Sequence, residues 1–182
     1  WLFELKWNFM ILDKIDALVF DFDGVLTNNL VYLNQEGVES VACSRADGLA
    51  FDVLRKLNKP AFILSTEKSF VVTMRAKKLK IQAIQGVADK VSAIKELARE
   101  NKFHLKNILY VGNDLNDYLV MKVCGYTACP SDSHKKIKEI STIILKTSGG
   151  NGIIRELLED VFQLNFIQIL YQEKECKWKN LF

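Results

Sequence analysis

The stretch Leu18-Val19-Phe20-Asp21-Phe22-Asp23-Gly24-Val25-Leu26-Thr27 decides the fold. An apolar, strand-like run ends in two carboxylates spaced two residues apart, and a glycine follows. Residues i and i+2 of a strand face the same side. Asp21 and Asp23 are therefore expected to leave the carboxyl end of a buried strand together, where open α/β sheets place their ligands. Two acids crowded at one mouth repel unless a cation sits between them. Mg2+ suits that arrangement, because it takes one or two protein carboxylates plus phosphate oxygens. Asp and Gly are also common turn formers, so an ordinary strand exit is the competing reading. On these ten residues alone the two readings are evenly balanced.

The rest of the chain breaks the tie. Phe62-Ile63-Leu64 ends in Ser65-Thr66, and Gln85-Gly86-Val87-Ala88-Asp89-Lys90 precedes an amphipathic helical pattern. Ile108-Leu109-Tyr110-Val111 runs into Gly112-Asn113-Asp114-Leu115-Asn116-Asp117. Paired acids, a hydroxyl, a lysine and a second acidic loop, in that order, resemble the haloacid dehalogenase superfamily of phosphohydrolases. Six phrases carry the resemblance over roughly residues 15 to 160: Phe20–Thr27, Ser44–Gly48, Ile63–Ser69, Gln85–Lys90, Gly112–Asp117 and Ser148–Glu156. They are most similar to a small capless branch. It contains the 3-deoxy-octulosonate 8-phosphate phosphatases, the nonulosonate 9-phosphate phosphatases and a domain fused behind acylneuraminate cytidylyltransferases. Glu67 stands where the octulosonate phosphatases tend to carry arginine, which tilts the match toward the last two groups.

Composition narrows the classes. The chain has 182 residues, enough for one domain with a sizeable core. With 25 basic and 22 acidic side chains its net charge is +3, too balanced to imply nucleic acid or a membrane surface as partner. No apolar run approaches the length of a membrane span. Cys43, Cys124, Cys129 and Cys176 lack paired C-x-x-C spacing, so neither zinc nor a disulfide framework is indicated. Reduced thiols in a cytoplasmic protein are expected. His104 and His134 stand alone in polar segments and receive no role.

Strand-like runs alternate with helical patterns, which predicts an α/β fold: a Rossmann-like parallel sheet with helices on both faces. Strands are expected at Ile15–Phe20, Ala61–Leu64, Ala83–Gln85, Ile108–Val111, Tyr126–Ala128 and Ile143–Leu145. Helices are expected at Ala46–Leu57, at Ser69–Leu79, after a cap at Asp89, and at Asp117–Val123. Residues 1–9 read as an extension or linker remnant, residues 10–172 as one phosphatase domain, and residues 173–182 as a tail. A β-hairpin insert is expected at about residues 28–43, turning at Asn34-Gln35-Glu36-Gly37. The resemblance implies that it is all that remains of a cap and that neighbouring subunits complete the site; a plain surface hairpin is the competing reading. Ile153 to Tyr171 reads as a helix so apolar that part of it is expected to pack on a partner subunit, with a helix packed wholly in the chain's own core as the alternative.

The resemblance implies a chemistry. Asp21 would be the nucleophile, forming an aspartyl-phosphate, and Asp23 the general acid/base. Ser65 would bind phosphate, with a local cap as the competing reading. Lys90 would stabilise the transferring phosphoryl and hold Asp21 ionised. Mg2+ would be held by Asp21, by the backbone carbonyl of Asp23, and by Asn113 and Asp114. Many family members carry Asp where Asn113 stands, so metal affinity and catalytic strength should fall. Thr27, Arg45, Thr66 and Asp117 are expected on the substrate side, Thr27 also ordering the loop and Asp117 either holding the metal's water shell or orienting Lys90. Gly149-Gly150-Asn151-Gly152 fits either a flexible helix entry or a substrate contact. The implied enzyme is a Mg2+-dependent phosphatase of a phosphorylated 2-keto-3-deoxy sugar acid, working as a homotetramer. The alternative is a weakly or non-catalytic oligomerisation module associated with a cytidylyltransferase. A phospho-receiver domain also places an Asp at a strand end, but the spacing here follows the phosphatases.

Overall fold

The computed structural model describes residues 12–171. The extension at residues 1–9, the tail at 173–182 and Cys176 lie outside the described residues. The central strand β1 (Ala17–Phe20) is followed by a hairpin, β2 (Tyr32–Leu33) and β3 (Glu39–Ser40). Then come β4 (Ala61–Leu64), β5 (Gln82–Ile84), β6 (Ile108–Val111), β7 (Tyr126–Cys129) and β8 (Ile143–Ile144). All but the hairpin strands join one parallel sheet in the order β5-β4-β1-β6-β7-β8. Phe20 lies opposite Ile63 on one side and Val111 on the other. The loops after β1, β4 and β6 therefore emerge at one edge, at the point where strand order reverses.

Helices α1 (Arg45–Lys56), α2 (Phe70–Leu79), α3 (Lys90–Asn101), α4 (Tyr118–Val123), α5 (Lys135–Ile140) and α6 (Ile153–Glu156) cover the sheet. Strand alternation divides the core in two. Leu18, Phe20, Ile63, Leu109 and Val111 pack with α1, α2 and α6. Ala17, Val19, Leu64, Ile108 and Tyr110 pack with α3, α4 and α5. Caps fix the helix starts. Ser44 Oγ accepts from Ala46 N, Ser69 Oγ from Val71 N, and Asp89 Oδ1 from Val91 N and Ser92 N. The cap of α2 is thus Ser69, not Ser65 or Thr66.

The hairpin forms where its turn residues place it. Asn34 Oδ1 accepts from Glu36 N and Val38 N, and Gly37 takes the left-handed φ of 77° that closes the turn. Leu30, Val31, Tyr32, Leu33 and Val38 on this arm are each more than half exposed. The expectation for the C-terminal segment needs correction. The chain leaves α6 through a wider turn at Leu157–Val161 and breaks near Gln163, which has φ 55°; residues 166–171 are helical again. The bend folds Leu157, Leu158, Phe162, Leu164 and Phe166 into the chain's own core. That burial accounts for most of the apolar excess, as the core-packed alternative expects, and leaves Ile167 and Tyr171 exposed. No helix among the described residues is long and apolar enough to cross a membrane.

Candidate active site

β1 stops at Phe20, and Asp21 and Asp23 lie in the turn beyond it. The N–H groups of Val25, Leu26 and Thr27 all point to the Phe22 carbonyl, at 3.4, 2.9 and 3.2 Å. This turn brings both acids to one cavity; strand alternation, which the spacing suggested, does not reach Asp23. Gly24 sits at φ 75°, and its bare Cα is where the Asn113 side chain packs: a Cβ there would fall 1.9 Å from Asn113 Nδ2. The turn after β1 and the loop after β6 are thus fitted to each other by one missing methyl group.

A cavity of about 370 Å3 opens between them, lined by Asp21, Asp23, Asn29, Thr66, Asn113 and Asp114, with Leu115 and Asn116 at its side. An equally large hollow beside Leu49 and Leu170 holds one acid, Asp52, which is ion-paired to Arg55. Convergent acids therefore distinguish the first. At its base Lys90 Nζ lies 2.8 Å from Asp21 Oδ1 and 2.7 Å from Asp117 Oδ1. All three side chains are buried. Asp21 Oδ1 also accepts from Phe22 N at 2.8 Å. Asp117 Oδ1 accepts from the Tyr110 hydroxyl at 2.8 Å, and its Oδ2 from Asn113 N at 2.9 Å and Asp114 N at 3.3 Å.

Electrostatics follow from burial. Desolvation alone would lower the pKa of Lys90, but the carboxylates of Asp21 and Asp117 outweigh it and hold the ammonium charged. Desolvation and the Asp117 charge push Asp21 up, against the pull of Lys90 and the Phe22 N–H. One buried ammonium thus faces two buried carboxylates, and a further cation at the mouth would balance the site. Asp23 is raised by burial and then by Glu67, against Thr27 and Lys90. A divalent metal fits here by a second observation: Asn113 Oδ1 is buried and makes no hydrogen bond. Among the described residues no three His, Cys, Asp or Glu side chains are grouped to hold a metal ion. The available donors are instead Asp21, Asp23 and the neutral amide oxygen of Asn113. Asp114 lines the cavity too, but it is exposed and its Oδ1 accepts from Leu115 N, capping the following turn.

Several expected substrate contacts stand elsewhere. Thr27 is fully buried; its Oγ1 accepts from Gly24 N and Asn29 N and lies 3.5 Å from Asp23 Oδ1. It orders the loop and does not line the cavity. Asp117 is fully buried behind Lys90, which it orients. Arg45 is exposed at the start of α1 and is not among the cavity's lining residues. Thr66 lines the cavity. Ser65 is buried just behind that lining; its Oγ accepts from Glu67 N at 3.0 Å, and its own proton is left to donate. The glycines 149 and 150 touch the backbone of the turn after β1. Sequence reasoning missed Tyr110. A tyrosine in an otherwise aliphatic buried strand needs a partner for its hydroxyl, and that was the available signal.

This chain belongs to the haloacid dehalogenase-like hydrolases, whose family profile matches residues 61–157. Fold, family and relatives make it a phosphoric monoester hydrolase. It is 29% identical over 148 residues to the 3-deoxy-D-manno-octulosonate 8-phosphate phosphatase of Salmonella typhi, covering 81% of this chain and 79% of that one. The crystal structure of the same-named phosphatase from Moraxella catarrhalis, in complex with a magnesium ion, a phosphate ion and KDO, superimposes with a TM-score of 0.83 at 26% identity. That match covers 93% of this chain and 98% of the other. A HAD family hydrolase structure from Streptomyces avermitilis gives 0.80 at 36% identity, over 81% and 85%. These relatives lend nothing to the tilt toward the cytidylyltransferase-associated group.

Proposed function

We propose that the chain is a Mg2+-dependent phosphatase of a phosphorylated 2-keto-3-deoxy sugar acid, acting through an aspartyl-phosphate on Asp21. The observation that carries this reading is the Lys90 ammonium bridging Asp21 and Asp117 at the base of the acid-lined cavity. Lys90 and Phe22 N hold one oxygen of Asp21 and so fix the direction of the other. An Asp21 oxygen bonds to phosphorus while the ester P–O bond breaks. Asp23, whose carboxyl pKa is pushed up by burial, gives a proton to the leaving oxygen. Asp23 then takes a proton from the water that opens the aspartyl-phosphate, releasing inorganic phosphate and restoring Asp21. Ser65 and Thr66 donate to the phosphoryl oxygens, and Lys90 offsets their charge. The Asp21 carboxylate, the Asp23 backbone carbonyl and the Asn113 amide oxygen would hold the metal, which neutralises phosphate charge when bound.

The named activity of the relatives supports the substrate class. The test is phosphate release from octulosonate 8-phosphate, from nonulosonate 9-phosphate and from p-nitrophenyl phosphate, with Mg2+ and with chelator. Asp21→Asn should lower turnover by a factor of about 10^3 or more, because an amide is a poor nucleophile. Residual turnover within tenfold of the native rate would defeat the reading.

A further inference from the structure

Helix α6 starts at Gly152, which has no side chain to cap it. The cap comes from a residue 107 positions away in sequence: Asp47 Oδ1, in the first turn of α1, accepts from Ile154 N at 3.0 Å and Arg155 N at 3.4 Å. Asp47 is wholly buried. Arg75 of α2 is near it and donates to the Ser44 carbonyl, so the start of α1 is itself pinned. From α6 the chain is tied at two further points. The Glu156 carboxylate accepts from Lys146 N at 2.7 Å and Thr147 N at 2.9 Å, and Asp132 Oδ1 accepts from Gly149 N at 2.9 Å.

The turn held in this way leans on the active-site loop. Gly150 N donates to the Val25 carbonyl at 3.0 Å. A Cβ on Gly149 would lie 2.0 Å from Gly24 O, and one on Gly150 2.4 Å from Asn28 N. Backbone therefore presses on backbone, with no side chain to absorb a shift. The loop pressed upon carries Asp23, and Gly24 in turn seats Asn113.

We propose that Asp47 is a positioning residue for the phosphatase reaction, acting through the start of α6 and the glycine pair to hold the loop of Asp23. It rests on the phosphatase reading above, and it touches neither substrate nor metal. Mispositioning of a reacting group by about 1 Å can cost as much as a hundredfold in rate.

The experiment measures kcat, KM and melting temperature with p-nitrophenyl phosphate and Mg2+, well below each variant's melting point. Asp47→Ala should lower kcat about tenfold with KM within about twofold. Asp47→Asn keeps the accepting oxygen and should restore native kcat. Leu79→Ala, at the far end of α2, should lose comparable stability and keep kcat. Gly149→Ala, with Asp47 intact, should show the kcat loss of Asp47→Ala, and it carries the test alone if Asp47→Ala does not fold. The proposal is overturned if Gly149→Ala retains native kcat, if Asp47→Ala changes only the melting temperature, or if Asp47→Asn loses as much rate as Asp47→Ala. Failure of the phosphatase reading itself is seen separately, as a native protein that releases no phosphate.

Discussion

An amide at Asn113 offers the cavity an oxygen without a formal charge. Its oxygen is buried and unpartnered, while its backbone N–H and carbonyl are fixed by Asp117 Oδ2 and His134 N, both at 2.9 Å. The donor is pre-positioned, so adding charge should act on metal affinity more than on geometry. Asn113→Asp is expected to tighten Mg2+ on the order of tenfold, read both as the half-activating concentration and by calorimetry on the free protein. An unchanged or weaker affinity would remove Asn113 from the ligand set. The residue types of this site were legible in the sequence, because acids, hydroxyl and lysine recur at strand ends. Their division of labour was not. Thr27 and Asp117 look like ligands in sequence, yet both are fully buried and serve the residues that line the cavity.

At the scale of elements, α1 and α6 are joined by the Asp47 carboxylate, which burial raises to about 6 against the hydrogen bonds from Ile154 and Arg155 and the charge of Arg75. The folded protein therefore binds that proton more tightly than the unfolded chain does. Between about pH 4 and pH 6 this group alone makes stability fall as pH rises, and above that window its cost is constant. Asp47→Asn removes the cost and keeps the acceptor. In urea melts the variant should gain on the native protein as pH rises from about 4 to 7, by up to about 3 kcal/mol. A gap that stays constant with pH would show that the carboxyl titrates normally. Elements were the most readable level of the sequence, since period and caps placed most of the strands and helices within a residue or two. The segment after Ile153 was misread because apolar content does not reveal a bend, and the left-handed Gln163 carries no sequence signal of the kind glycine gives.

For the whole molecule, exposed apolar side chains follow one another most closely on the hairpin, while Phe70, Leu119 and Ile167 are as exposed elsewhere. Tyr32 and Leu33 are 63% and 66% exposed, and Leu30, Val31 and Val38 accompany them. An edge hairpin of this composition is expected to be covered by another copy of the chain. Light scattering on a sizing column should give an oligomeric mass for the native protein. Val31→Ser combined with Leu33→Ser should reduce that mass while preserving the secondary structure, because neither side chain enters the core. A monomeric native protein would end the homotetramer expectation.

By itself the sequence determined the parallel sheet, the hairpin in place of a cap, and the acid pair, hydroxyl, lysine and acidic loop of the site. Those are local facts: side-chain period, turn chemistry and the order of polar residues at strand ends. Only the tertiary structure decided that one ammonium bridges Asp21 and Asp117, that Tyr110 backs it, that Gly24 makes room for Asn113, and that Asp47 caps a helix 107 residues away. These depend on contacts between segments brought together by packing, and distance along the chain gives no measure of distance across the core.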